Sequence, residues 1–157
     1  MKNEEFYDKL IKALKSEDKI FKLEGVSVSG TIEINEIYEK IENDDNLKHL
    51  ILIENDKKIV YLDVNIGIEN VIFNNNVKFY DENNKICVKF KNIQFHDTIF
   101  KEMADFSSST FKENTDFRSS TFEGEADFSS SIFEGEADFS SSIFEGEADF
   151  SSSIFEG

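Results

Sequence analysis

The sequence of 157 residues contains one cysteine, no proline, no tryptophan and no basic residue after Arg118. The single cysteine, Cys87, excludes an intrachain disulfide. The first 19 residues lack the apolar segment of a secretory signal peptide, so we expect a reduced, cytoplasmic setting. No run of about 18 apolar residues occurs, and we therefore expect no membrane-spanning segment.

The common catalytic and cofactor-binding motifs are missing as well. No G-x-S-x-G, G-x-G-x-x-G, P-loop or C-x-x-C pattern occurs, and the only histidines are His49 and His96. His96 follows an apolar position in "IQFHD", and Cys87 lies between Ile86 and Val88, so we expect both side chains to face outward. These observations predict a protein that is not an enzyme, with no cofactor and no metal site.

Basic residues are few overall, and the imbalance is concentrated toward one end. The net charge is −16, and residues 121–157 hold ten acidic and no basic side chains, so this segment carries −10. Direct nucleic-acid binding is not expected, because it needs Lys and Arg against the phosphates. The charge leaves three interpretations open: a solubilising surface, a basic protein partner, or bound cations.

The first part of the chain has mixed periodicity. Residues 1–19 are predicted to contain an amphipathic helix whose stripe is formed by Phe6, Leu10, Ile11 and Leu14. Residues 20–65 alternate at period two, include a short helix near 35–45, and contain two strands joined by the turn "NDKK". We interpret 20–65 as an α/β capping segment.

From residue 66 onward the sequence is built from five-residue units with an apolar central residue. Units such as "VIFNN" (71–75) lead into alternating "ADFSS" and "SIFEG", and one additional residue follows every second unit. The last 33 residues are three identical copies of "EADFSSSIFEG". An eleven-residue helix is excluded because Phe128 and Phe133, five residues apart, would lie about 140° apart and form no stripe. As strands, the pattern places Ala126 and Phe128 on one face.

These tandem units resemble the pentapeptide-repeat family, whose unit is a small residue, Asp or Asn, Leu or Phe, and two variable residues. "ADFSS" at 104–108, 126–130, 137–141 and 148–152 matches this unit, and "SIFEG" matches its small and Phe positions. The resemblance implies a mainly β fold: a right-handed quadrilateral β-solenoid over residues 66–157, with the small N-terminal α/β cap beneath it. The eleven-residue period departs from the family and predicts about 22 residues per coil, with Glu136 and Glu147 as bulges at the corners.

Stacking every 22 residues would place Phe on Phe along the core. The predicted core residues are Phe106, Phe111, Phe117, Phe122, Phe128, Phe133, Phe139, Phe144, Phe150 and Phe155. The acidic residues would form outward columns, and those expected to face a partner are Asp127, Glu134, Glu136, Asp138, Glu145, Glu147 and Asp149. Ile132, Ile143 and Ile154 should also point outward, as candidates for a side-to-side contact.

The final coil suggests how such a protein works. Ile154, Phe155 and Gly157 lie in a coil with no capping segment after it, so we consider three explanations: a longer repeat array, a frayed end, or pairing with another molecule. The resulting function hypothesis is a structural and interaction scaffold that self-associates end to end, as a homo-oligomer or stacked filament. The alternative is an acidic DNA mimic that binds a DNA-binding protein such as a type II topoisomerase.

Overall fold

The computed structural model describes residues 1–157 and is a β-solenoid with an N-terminal cap. Two α-helices, α1 (Asn3–Lys15) and α2 (Ile34–Glu42), and a 3-10 helix (Lys48–Leu50) precede or interrupt the first coil. All other regular structure is strand, and nearly all of the strand pairs are parallel. Neither helix is long and apolar enough to cross a membrane.

Four columns of strands form the four sides of the solenoid. Side 1 contains Ile20–Glu24, the second halves of Lys57–Glu69 and Ile86–His96, Thr115–Asp116 and Ala137–Asp138. Side 2 contains Ser27–Val28, Ile72–Phe73, Ile99–Phe100, Thr121–Phe122 and Ile143–Phe144. Side 3 contains Ile32–Glu33, Val77–Lys78, Ala104–Asp105, Ala126–Asp127 and Ala148–Asp149. Side 4 contains the first halves of Lys57–Glu69 and Ile86–His96, then Thr110–Phe111, Ile132–Phe133 and Ile154–Phe155.

The coils repeat every 22 residues in the last part of the chain, as the sequence predicts. Ala104 pairs with Ala126, and Ala126 pairs with Ala148. The additional residue of each eleven lengthens a corner between two strands and causes no register shift in these ladders. The prediction of bulges at Glu136 and Glu147 is therefore wrong. The register shift that does occur lies earlier, in the long strands of sides 1 and 4, between Leu62 and Asn65.

Stacked phenylalanine rings fill the interior. Phe100 and Phe122 on side 2 have ring centroids 4.8 Å apart and planes within 3°, and Phe111 and Phe133 on side 4 are 4.6 Å apart. Rings of opposite sides meet edge to face, as Phe117 of side 1 and Phe128 of side 3 do at 5.4 Å. Both arrangements are favourable for aromatic pairs. The six central Phe residues from Phe106 to Phe133 are 0–1 % exposed. From Phe90 onward each side contributes one ring per coil to a continuous core.

The stack begins at residue 20, earlier than the position 66 expected from the repeats. Ile20–Glu24 pairs in register with residues 65–69. The next two short strands pair in the same way with Ile72–Phe73 and Val77–Lys78, so residues 20–62 form coil one and residues 65–90 form coil two, and the later coils are numbered onward from there. Residues 34–56, which include α2, are inserted between sides 3 and 4 of this first coil. Ile51–Glu54 then pairs antiparallel with Lys57–Glu69 and forms the lower edge of side 4.

The helices cover the base of the core. Phe6 of α1 packs edge to face on Phe21 at 5.1 Å. The buried hydroxyl of Tyr7 donates to the carbonyl of Thr31 (3.1 Å) and accepts from the amide of Glu33 (2.9 Å). Ile34, Ile37 and Ile41 of α2 are likewise buried. The apolar stripe that predicted the first helix therefore rests against the first coil.

Candidate interaction surfaces

The aspartate of each "ADFSSS" segment holds its own turn. Asp127 Oδ1 accepts hydrogen bonds from the amide (2.8 Å) and the hydroxyl (2.6 Å) of Ser129. Asp149 binds Ser151 in the same way. This Asx-type turn lets the chain change direction between two sides of the solenoid. The outward aspartates are therefore structural residues, and each keeps its second carboxylate oxygen free of this turn.

The three serines of a segment have different roles. The first, such as Ser129, binds the aspartate, while the second, Ser130, has φ +55° in the left-handed region. The third, Ser131, is fully buried, and its hydroxyl donates to the carbonyl of Phe106 in the coil below. The sequence pattern alone did not separate these roles, since all three positions carry the same residue.

The glycine of each "FEG" corner is required by close contact between coils. A Cβ on Gly124 would lie 2.5 Å from the carbonyl carbon of Glu102, directly beneath it. Gly146 meets the carbonyl of Gly124 at the same distance. Such distances leave no room for a side chain, so these corners allow the coils to approach at strand-pairing distance.

The predicted acidic residues are distributed around all four sides. Asp127 and Asp149 lie on side 3, Asp138 on side 1, Glu145 on side 2 and Glu134 on side 4, while Glu136 and Glu147 lie at corners. The structure therefore brings them into columns. One ladder contains Asp105, Asp127 and Asp149, and another contains Asp116 with Asp138 above it. It does not collect them on one surface.

The environments of these carboxyl groups differ along a ladder. Burial raises the pKa of Asp105, and the neighbouring Asp127 adds to this shift. Hydrogen bonds from Ser151 lower the pKa of Asp149, and hydrogen bonds from Ser140 lower that of Asp138. The inner aspartate is thus a weaker acid than those nearer the open end.

Side 1 carries a cationic contact that the repeat pattern did not predict. His96 Nε2 lies 2.7 Å from Asp116 Oδ2, and the Arg118 guanidinium lies 2.8 Å from the same oxygen. Arg118 also approaches Asp138 of the next coil at 3.7 Å. Although burial raises the pKa of Asp116, hydrogen bonds from Arg118 and His96 lower it overall. The 22-residue spacing of His96 and Arg118 is the signal that would have identified this pair.

The last coil exposes part of the core. Phe133 is fully buried, whereas Phe155, stacked on it at 4.7 Å, is 53 % exposed. Phe139, Phe144 and Phe150 are only partly buried. The predicted end residues Ile154, Phe155 and Gly157 all lie in this coil and are exposed.

On its outer face, the backbone of this coil also has groups that make no backbone hydrogen bond. The amide of Phe128 donates to the carbonyl of Asp149 in the coil above, at 2.8 Å. The corresponding amides of Phe139 and Phe150 donate to no backbone carbonyl. On side 4 the carbonyl of Phe133 accepts from the amide of Glu156, whereas the carbonyl of Phe155 accepts from no backbone amide.

Cys87 differs from its prediction. It is buried, and burial raises the pKa of its thiol. Tyr80 and Lys85, at either end of the turn between sides 3 and 4, line a small hollow together with Cys87. This turn covers an outward position that would otherwise face solvent. No group of three or more His, Cys, Asp or Glu side chains is arranged to hold a metal ion.

Comparison with known proteins agrees with the geometry. A family model described as pentapeptide repeats (9 copies) matches residues 88–132 and 117–157. No curated protein and no solved structure matches the chain.

Proposed function

Residues 88–157 belong to the pentapeptide-repeat family, whose members are generally non-enzymatic scaffolds, and we propose that this chain is a rigid scaffold whose last coil pairs with a second copy. The observation that carries the proposal is the exposed core of that coil, where Phe155 is 53 % exposed. A half-exposed stacked ring beside unpaired backbone groups is a template for further pairing.

The open face of the last coil offers both donors and acceptors. One coil earlier, the amide of Phe128 on side 3 donates to the carbonyl of Asp149, and the carbonyl of Phe133 on side 4 accepts from the amide of Glu156. In a parallel ladder a residue that pairs with the next strand uses both its N–H and its C=O for that strand. A second copy placed end to end can therefore supply acceptors and donors to the same face.

The base of the solenoid limits this association to two copies. α1 and α2 cover the first coil with Phe6, Leu10 and Ile37, all of them buried. A second copy therefore has no open coil to meet at that end. A closed dimer, with the two last coils in contact, is favoured over the stacked filament that the sequence also suggested.

Repulsion between like charges opposes this dimer and makes its formation depend on salt. Both contacting ends belong to the segment 121–157, which carries −10. Salt screens such repulsion, with a Debye length of about 10 Å at 0.1 M and about 3 Å at 1 M. End-to-end pairing should therefore strengthen as ionic strength rises.

Light scattering coupled to size exclusion tests the proposal. The 157-residue chain is expected to shift from monomer to dimer with concentration, and more so at about 1 M than at about 0.1 M salt. Phe155→Glu should abolish the shift, whereas Ile143→Glu, at an equally exposed wall position, should leave it intact. A strict monomer under all these conditions would contradict the proposal.

The acidic-mimic alternative has one observation in its favour. Residues 136–157 form one coil's length with six carboxylates, Glu136, Asp138, Glu145, Glu147, Asp149 and Glu156. At a coil rise of about 4.8 Å this is one charge per about 0.8 Å, or about one per 1.6 Å for each half of the coil, and the latter is close to the roughly 1.7 Å of duplex DNA. Their distribution over all four sides differs from the two strands of a duplex. Inhibition of gyrase supercoiling at micromolar protein would support the mimic, and its absence would remove it.

A further inference from the structure

Side 4 is the one wall of the solenoid that carries several lysines. Its outer surface has two rows of side chains, which precede and follow the inward residue of each coil. From coil one to coil five, the preceding row is Tyr61, Lys89, Thr110, Ile132 and Ile154. The following row is Asp63, Lys91, Lys112, Glu134 and Glu156. Side 4 is thus basic in coils two and three and acidic in coils four and five.

The lysines of this side are grouped around one aromatic ring. The Lys89 and Lys112 ammonium groups lie 5.8 and 5.6 Å from the Tyr61 ring centroid. Lys91 lies 3.8 Å from Asp63, which is its acidic neighbour in the coil below. In a chain with net charge −16 this is a locally positive surface. Such a surface attracts carboxylates.

We propose that side 4 is a self-complementary surface on which a second copy of the chain docks in the antiparallel direction. A two-fold axis that lies in the contact plane between the copies and runs parallel to the strands of side 4, level with the boundary between coils three and four, exchanges coil three with four and coil two with five. It places Lys112 opposite Glu134 of the other copy, and Lys91 opposite Glu156. Each of these contacts occurs twice, so the dimer gains four ion pairs from one arrangement.

The preceding row matches under the same operation. Thr110 meets Ile132 of the other copy, and the aliphatic stem of Lys89 meets Ile154, which is 51 % exposed. Lysine stems cover apolar surface while their ammonium groups remain solvated. Ile132 and Ile154, expected from the sequence at a side contact, therefore take part, whereas Ile143 lies on side 2 and does not.

The size of the surface predicts a weak association. Four strands at about 4.8 Å spacing give a contact about 19 Å long. Such a strip is smaller than the roughly 800 Å² per partner of a standard stable interface. The dimer is therefore held chiefly by attraction between opposite charges and should weaken as salt is added. This salt dependence is opposite in sign to that of end-to-end pairing, so the two associations succeed or fail separately.

Charge exchange tests the docking. At about 0.01 M salt, where the Debye length is about 30 Å, sedimentation velocity should detect a reversible dimer that dissociates at about 1 M. Lys91→Glu with Lys112→Glu should weaken the association constant at least about tenfold, since like charges would then meet. Glu134→Lys with Glu156→Lys should do the same. The variant with all four changes should return to within about threefold of the original.

Side 2 offers a matched control. Lys101, Glu123 and Glu145 occupy the equivalent row there, so Lys101→Glu with Glu123→Lys changes the same charges on another wall. This control should leave the low-salt association unchanged. The docking is refuted by a monomer at low salt, by failure of the four-residue exchange to restore association, or by an equal effect of the side 2 control. If the lysine changes weaken the association but the changes of Glu134 and Glu156 do not, another acidic row meets the lysines, and this result also overturns the proposal.

Discussion

The Ser131 hydroxyl donates a hydrogen bond of 2.8 Å to the carbonyl of Phe106, 25 residues earlier and one coil below. Ser142 and Ser153 make the same bond to Phe117 and Phe128, each at 2.6 Å. These carbonyls lie at the turns, where the strand ladder does not reach them. In these three segments the third serine satisfies a backbone acceptor, and this explains why the position keeps a small hydroxyl residue there. The hydroxyl of Ser109, the third serine of the first such segment, makes no hydrogen bond.

Ser131→Ala should destabilise the protein by about 1–3 kcal/mol, because the Phe106 carbonyl would be left buried without a donor. Ser130→Ala is the matched control: that side chain is exposed and makes no hydrogen bond in the structure, so its change should stay within about 0.5 kcal/mol. Urea unfolding monitored by circular dichroism measures both. Equal midpoints for the two variants would refute the role assigned to Ser131.

Gly124→Ala should separate coils three and four, because the new Cβ would meet the Glu102 carbonyl carbon at 2.5 Å. We expect the free energy of unfolding to fall by about 1–3 kcal/mol or more, as it does when a core is overpacked. Gly67→Ala provides the comparison, since the nearest atom there is Lys22 Cγ at 3.9 Å. The Gly67 variant should unfold at the same urea concentration as the original chain or slightly above it, and a similar loss in both would refute the close-contact explanation.

Much of the solenoid could be predicted from the repeats, since four units per coil bring identical residues into register every 22 positions, as Ala104, Ala126 and Ala148 are. The first coil could not be predicted from the repeats. Its inward residues include Leu23 and Val28 instead of Phe, and residues 34–56 interrupt it. Its place depends on pairing with residues 45 positions later, such as Phe21 with Ile66. Local pattern carries no information about such a distant contact.

The surfaces were less predictable than the core. Cys87 has the alternation of an outward residue, yet the turn beside it covers the thiol, which is a tertiary effect. The lysines of side 4 are separated by irregular steps, and Lys91 and Lys112 are 21 positions apart instead of 22. Only the observed register shows that they lie in one row with Glu134 and Glu156.

Asp105 and Asp149 occupy the same position of one ladder, two coils apart, and should respond oppositely to pH. The pKa of Asp105 is raised by burial, so its folded form retains the proton, and stability falls as pH rises through that pKa. The pKa of Asp149 is lowered by Ser151, so its contribution is present above the unfolded pKa and is lost as pH falls.

Asp105→Asn should therefore stabilise the protein at pH 7, and the gain should vanish below about pH 3, where both states are protonated. Asparagine keeps an oxygen for the Ser107 amide. Asp149→Asn should instead reduce the free energy of unfolding at pH 7. It should also make this free energy fall less steeply as the pH is lowered. Unfolding free energies measured between these pH values check both signs, and a gain for Asp149→Asn would contradict the assignment.

Phe128 on side 3 and Phe155 on side 4 are both central residues of their units, and they differ in how much of the stack covers them. Phe128 lies between Phe106 (5.2 Å) and Phe150 (5.1 Å) and is fully buried, so Phe128→Ala should cost about 3–5 kcal/mol. Phe155 has a stacked neighbour on one side and is 53 % exposed, so Phe155→Ala should cost clearly less in a dilute, monomeric sample. If the last coil pairs with a second copy, the cost of Phe155→Ala must grow with protein concentration while that of Phe128→Ala changes little. Urea unfolding at two concentrations, at high salt, measures this difference, and a concentration-independent cost at Phe155 would show that the exposed ring meets no partner.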